Sequence, residues 1–177
     1  MEQYLKGNKE PEIDEEYQNF WSGLPKILDQ FTEVLWAESP VLDRFKFTLG
    51  CDDIARVWGA DEQGRAWAGA PDIIAVVNNK LTLADLKTSV RPYSRKWPKD
   101  YEKGTKEWRN LLGGYMKFKK TCKQLAAYDI AIEQTLGMKV QQAAVLVSTP
   151  ERTQIFKISR GCLLYTSDAA DDGSRGG

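Results

Sequence analysis

The stretch GAPDIIAVVNNKLTLADLKTS, residues 69–89, holds two short apolar runs joined by Asn78-Asn79. Each run carries one acid, Asp72 or Asp85, and Lys87 follows the second acid by two positions. Asparagine tolerates the positive φ that both central positions of a tight hairpin turn require. The stretch therefore reads as a hairpin, 66–77 against 80–87. A two-residue turn pairs 77 with 80 and so 72 with 85, which places the two acids opposite each other at about 5 Å between Cβ atoms. Asp85 and Lys87 share a face because side chains alternate along a strand. Two carboxylates that close repel unless positive charge lies between them. A hard divalent cation supplies it, since Mg²⁺ takes one or two carboxylates and fills its octahedron with water and phosphate oxygen. Lys87 then stands where it can hold a water or stabilise charge on a phosphate. An acid, any residue and a lysine also describe an ordinary ion pair. Two acids in register inside apolar strands are more specific, because buried charge is costly unless paired or used.

The 177 residues fit one domain, long enough to build a core without staples. The hydrophobic share of 42% and charged share of 28% are those of a soluble globular chain. No apolar run reaches the roughly 18 residues of a membrane span, and the acidic start MEQYLKGNKEPEIDEE has no secretory character. Cys51, Cys122 and Cys162 form neither a disulfide framework nor a CxxC metal site, so an intracellular, reducing compartment is the simplest reading. There is no histidine. Catalytic triads, histidine-ligated zinc and imidazole acid–base chemistry are thereby excluded, leaving carboxylates, lysine, tyrosine and hard metal ions. The net charge of zero conceals an asymmetry: residues 1–43 hold ten acids against three bases, and residues 88–123 hold eleven bases against three acids. The basic part calls for an anionic partner.

Apolar spacing at Phe20, Leu24, Ile27, Leu28, Phe31, Val34 and Leu35 predicts helix within 15–37, started or kinked at Pro25 and stopped before Pro40. Residues 41–58 read as extended and 59–65 as a loop. Residues 90–106 read as a basic, aromatic-studded loop. A helix is expected over about 114–136, its buried stripe marked by Phe118, Cys122, Leu125, Ile132 and Leu136, with Gly137 as C-cap. Strands are expected at 139–148 and 153–158. This order predicts an α/β fold, a mixed β-sheet flanked by helices. The tail CLLYTSDAADDGSRGG, residues 162–177, resembles the translation of a transposase-type sequencing adapter, TGT CTC TTA TAC ACA TCT GAC GCT GCC GAC. It is set aside from the fold, leaving a domain over 1–161 that is expected to have continued beyond Gly161. MEQYLKG reads as the end of an amphipathic helix, so Met1 is readable as an internal methionine.

Pro71-Asp72 followed by Asp85-Leu86-Lys87 resembles the PD-(D/E)XK nuclease superfamily, and the resemblance spans roughly residues 30–160. Gly69-Ala70-Pro71-Asp72 is similar to that family's small-residue run into its first acid. Lys87-Thr88-Ser89 and Gln124-Leu125-Ala126-Ala127-Tyr128 resemble the KTS and QxxxY motifs of its RecB-like exonuclease branch. Gln124 and Tyr128 are four apart and share a helix face; taken alone, that spacing describes any amphipathic helix. The resemblance implies a restriction-endonuclease-like sheet and hydrolysis of DNA phosphodiesters, expected as exonuclease action on DNA with single-stranded ends. It implies Mg²⁺ or Mn²⁺ held by Asp72, Asp85 and the Leu86 carbonyl, with Lys87 positioning the water. It also implies that Gln124 and Tyr128 touch the substrate strand, with Ser89 and Arg91 beside them. Glu38 matches the family's glutamate at the end of the first helix and is carried as a further catalytic and metal-binding candidate. Asp52 and Asp53 compete for that role and rank lower. The family's upstream histidine has no counterpart here, and no four-cysteine set for an iron–sulfur cluster is visible.

Arg91, Arg95, Lys96, Lys99, Lys103, Lys106 and Arg109 interleave with Tyr93, Trp97, Tyr101 and Trp108 directly after the Lys87 strand. Cations track phosphates and aromatics stack on unpaired bases, so this segment is expected to contact DNA. A solvated basic loop has the same composition. Two other readings stay open: a nuclease-like fold that binds nucleic acid or a protein without cutting, and a restriction-type endonuclease. A bacterial or virus-encoded repair context follows from the resemblance alone.

Overall fold

The computed structural model describes residues 1–9, 11–41 and 56–163. Its helices are α1 (Glu2–Leu5), α2 (Gln18–Trp21), α3 (Pro25–Leu28) and α4 (Lys106–Leu136). Its strands are β1 (Phe31–Ala37), β2 (Ser39–Pro40), β3 (Val57–Ala60), β4 (Ala66–Gly69), β5 (Ile73–Val77), β6 (Lys80–Thr88), β7 (Gln142–Ser148) and β8 (Thr153–Ser159). Six of them form one mixed sheet in the order β2-β1-β5-β6-β7-β8, and β3 and β4 form a separate ribbon. The expected α/β architecture is therefore present.

The hairpin supplies the centre of the sheet. Asn78 and Asn79 have φ of 50° and 58°, and the pairing runs from Val77↔Lys80 to Ile73↔Ala84, the register expected from the turn. β6 and β7 are parallel, so a crossover must join them; residues 89–141, with α4 at their centre, provide it. One sheet face packs against α4 through Ile74, Leu83, Val145 and Val147, which meet Phe118, Cys122, Leu125 and Ile132. The other face, through Ile73, Ala75, Val77, Ala84 and Leu146, takes Tyr4, Leu24, Ile27 and Leu28 from the short N-terminal helices.

Several sequence expectations are corrected. Residues 31–37 are strand β1, not the continuation of a helix. The register of β1 on β5 shifts between Thr32 and Trp36, and Glu33 has φ of 46°. A bulge of this kind breaks the two-residue alternation, so Phe31, Val34 and Leu35 acquire a helix-like spacing by accident. Residues 66–77 are not one strand: β4 ends at Gly69 and β5 starts at Ile73. The long helix begins at Lys106 rather than 114, capped by Thr105, whose hydroxyl accepts from Trp108 N–H at 3.2 Å. Leu163, inside the tail set aside on sequence, is fully buried in the α4-side core. Residues 42–55, with Asp52, Asp53 and most of the extended segment expected over 41–58, lie outside the described residues, as do 164–177.

The ribbon edge on β3 is closed by α4 side chains. Thr135 Oγ1 accepts from Trp58 N–H at 2.8 Å and donates to Trp58 O at 2.9 Å. The Gln134 amide does the same for Ala60, at 2.8 and 3.0 Å. Among the described residues no helix is long and apolar enough to cross a membrane.

Gly113-Gly114 hid the first two turns of α4 from the sequence reading. A Cβ on Gly114 would stand 2.7 Å from the Pro92 carbonyl oxygen, whereas one on Gly113 would meet nothing within 4 Å. Gly114→Ala is thus expected to destabilise the fold by about 1–3 kcal/mol. Gly113→Ala should stabilise it by roughly 0.5–1 kcal/mol through helix propensity. Urea unfolding of both variants checks this; equal effects would contradict the packing described.

Candidate active site

A continued hairpin ladder would make 71 and 86 the next hydrogen-bonded pair after 73 and 84, since such pairs alternate. Pro71 has no N–H to give, and its carbonyl accepts instead from the buried Trp36 indole N–H at 2.8 Å. The Leu86 N–H therefore needs another acceptor. It finds the Asp72 carboxylate, donating to Oδ2 at 2.9 Å. The strand break at Ala70-Pro71-Asp72 thus turns Asp72 inward across the end of β6.

Asp72, Asp85 and Lys87 share the parity of Ile74 and Leu83, so all three lie on the α4 side of the sheet. Asp85 is 1% exposed. Lys87 Nζ donates to its Oδ1 at 2.9 Å and lies 2.8 Å from Oδ2, which has no aligned hydrogen bond. Burial raises the Asp85 carboxyl to about 6, the Asp72 charge adds to the rise, and Lys87 opposes it. Burial works to lower the Lys87 ammonium, but the Asp85 hydrogen bond and the charges of Asp85 and Asp72 outweigh it, so its pKa is raised.

The hairpin register as far as Ile73↔Ala84 and the meeting of Asp85 with Lys87 on one face follow the sequence reading, whereas Asp72 bonds to the Leu86 N–H and not to Lys87. Glu38 does not follow it in the same way. It sits at the tight turn between β1 and β2 with φ of 56°, exposed, and not at a helix end. Its N–H donates to the Asp72 carbonyl at 2.7 Å. Among the described residues no three carboxylates or cysteines converge closely enough to hold a metal. Glu38 therefore joins the site through its backbone and not as a third carboxylate. Two carboxylates still suit Mg²⁺, which completes its shell with water and phosphate oxygen. The buried Asp85 Oδ2, met by the Lys87 ammonium but by no aligned hydrogen bond, is the atom that fits such an ion.

Gln124 and Tyr128 lie together on α4, Gln124 Nε2 donating to the Tyr128 hydroxyl at 3.2 Å. The tyrosine ring rests on Gly69, where a Cβ would come within 2.4 Å of it. The QxxxY pair therefore braces the strand break that carries Asp72. Ser89 is buried; its Oγ accepts from Lys117 Nζ at 3.1 Å and its N–H donates to Ser148 O at 2.9 Å. Arg91 is exposed and its guanidinium donates to Asn110 Oδ1.

The aromatics of the basic segment divide. Trp97 and Tyr101 are half-exposed, and Trp97 meets Trp108 and Tyr115 edge-on. Tyr93 is buried and within electrostatic reach of Lys87 and Asp85, so it is not free to stack on bases. Burial pushes its hydroxyl pKa up against a Thr121 hydrogen bond and the Lys87 charge. Arg95 is exposed, but its guanidinium lies over the Phe118 and Phe156 rings and donates to Lys157 O. Sequence reasoning missed Lys117 and Thr121, whose positions near the site become apparent only when α4 crosses the sheet. It also missed Asp129, fully buried one turn beyond Leu125 and paired with Arg160 at 2.7 Å. Its place on the apolar stripe was the available signal.

No family model matches the chain, and no curated protein matches it. The crystal structure of SSO0001 is similar over 68% of this chain, at 15% sequence identity and a TM-score of 0.32. The match covers 48% of that protein, so the chain spans about half its length.

An acid with a raised folded pKa binds more protons folded than unfolded, here between roughly pH 4 and pH 6. The stability this gives is complete below about pH 4 and is lost as pH rises through about 6. In EDTA, wild-type stability should fall across this window by up to about 3 kcal/mol more than that of Asp85→Asn. Urea unfolding at stepped pH measures the difference. Parallel pH profiles would contradict the buried-acid account.

Proposed function

We propose that the protein is a metal-dependent DNA nuclease of PD-(D/E)XK type, acting as an exonuclease on DNA with a single-stranded portion. The observation that carries this reading is the pair of acids at the strand break: Asp72 turned onto β6, and Asp85 buried with both carboxylate oxygens against the Lys87 ammonium. A purely structural ion pair would have no need of a second carboxylate on the same face.

In this reading Asp72 and Asp85 hold Mg²⁺ or Mn²⁺, with the Leu86 carbonyl as a further donor. The ion, when bound, supplies Lewis acidity toward phosphate oxygen and lowers the pKa of water. Lys87 is the one ammonium among the described residues that pairs with Asp85, and in this reading its remaining protons face the reacting phosphate or the attacking water. It would orient that water and offset charge as the phosphoryl oxygens become more negative. Gln124 and Tyr128 hold the geometry of the break at Gly69 and contact the strand. Trp97 and Tyr101 offer exposed rings to unpaired bases.

The test is cleavage of end-labelled single-stranded and blunt duplex DNA with Mg²⁺, Mn²⁺ or EDTA. Metal-dependent cutting is expected, reduced at least about a hundredfold in Lys87→Ala, the scale of losing one electrostatic stabiliser. A ladder of successive mononucleotide losses supports the exonuclease mode, and internal cuts would replace it with an endonuclease. Binding without cutting, indifferent to metal and to Lys87→Ala, would overturn the nuclease reading.

A further inference from the structure

The basic segment is not evenly spread in three dimensions. Arg91, Arg109 and Lys117 line one pocket, where the loop after β6 meets the N-terminal half of α4, and among the described residues no carboxylate lines it. Each cation is tethered to a neutral acceptor. Arg91 donates to Asn110 Oδ1, Arg109 to Gly104 O at 3.0 and 2.7 Å, and Lys117 to Ser89 Oγ at 3.1 Å. None of the ion pairs among the described residues involves any of the three. Three like charges are thus held in a concave site with no carboxylate partner among the described residues, an arrangement that attracts an anion.

The two glycines shape this pocket. Gly114 lets the Pro92 carbonyl approach the helix, which brings Arg91 over α4. Gly113 leaves the wall open, since a Cβ there would meet no protein atom within 4 Å. The pocket also connects to the acid pair. Ser89, which holds Lys117, lies two residues beyond Lys87, a span of about 7 Å in extended chain and of the order of one nucleotide step.

We propose that this pocket is a phosphate subsite, taking a backbone phosphate of the substrate strand next to the one at Lys87. The source of the phosphate rests on the DNA reading above; the oxyanion chemistry of the pocket does not.

The experiment measures binding of a short fluorescein-labelled single strand in EDTA, by anisotropy over a salt series. It compares the wild type with Lys117→Gln, Gly113→Leu and the double variant. Gly113→Leu plugs the pocket while keeping every charge, and leucine is a better helix former than glycine. One lost single-strand phosphate contact lowers the salt slope by about 0.7, or about fivefold in Kd at about 0.1 M salt. Each single variant should show that loss, and the double variant no more than either. In parallel, the Gly114 amide resonance should shift on titrating inorganic phosphate into the wild type and not into Gly113→Leu. Strand binding indifferent to Gly113→Leu would overturn the subsite and leave the DNA reading standing. Phosphate-induced shifts without strand binding would support the oxyanion pocket and sink the DNA reading.

Discussion

A carboxylate buried to 1% exposure needs compensation, and among the described residues Asp85 takes it from Lys87. The rest of the site follows from how the chain brings a second acid to the same place. Pro71 cannot continue the hairpin ladder, the Trp36 indole takes its carbonyl, and the freed Leu86 N–H draws in the Asp72 carboxylate. The diversion of the Pro71 carbonyl to Trp36 therefore brings a second carboxylate onto the end of the hairpin, beside Asp85 and its ammonium. Such a cluster is poor at stabilising a fold, because the desolvation cost of buried charge is not fully returned by pairing. The proposed nuclease chemistry would account for its place in the middle of an apolar sheet.

The centre of the sheet was legible in the sequence because its signals are local. Asn78-Asn79 sets the turn, the turn sets the register, and the register sets the faces of Asp72, Asp85 and Lys87. What failed was governed by longer-range events. The bulge near Glu33 disguised β1 as helix, and with it placed Glu38 at a helix end instead of a tight turn. The glycine pair at 113–114 reads as a helix boundary until the Pro92 loop is seen against it. The break between β4 and β5 depends on Trp36, thirty-five residues from the carbonyl it binds.

Helix α4 links these parts. Its Tyr128 rests on the backbone of Gly69, its Thr135 and Gln134 close the ribbon edge, and its first turns carry Arg109 and Lys117. At its far end Asp129 is buried against Arg160, whose guanidinium also donates to Glu133. Burial raises the Asp129 carboxyl and the Arg160 hydrogen bond opposes it. That pair ties the segment after β8, with the buried Leu163, to the helix. A single rigid element thereby fixes both the acid pair and the basic pocket relative to the sheet.

The account turns on whether Asp72 and Asp85 together hold a divalent cation. Titration with Mn²⁺ in the absence of DNA, followed by electron paramagnetic resonance of the free ion, measures this directly. Saturable binding by the wild type is predicted, weakened at least tenfold in both Asp72→Asn and Asp85→Asn, with the fold of each variant verified by circular dichroism. Binding equal in all three proteins, or absent from the folded wild type, would contradict it.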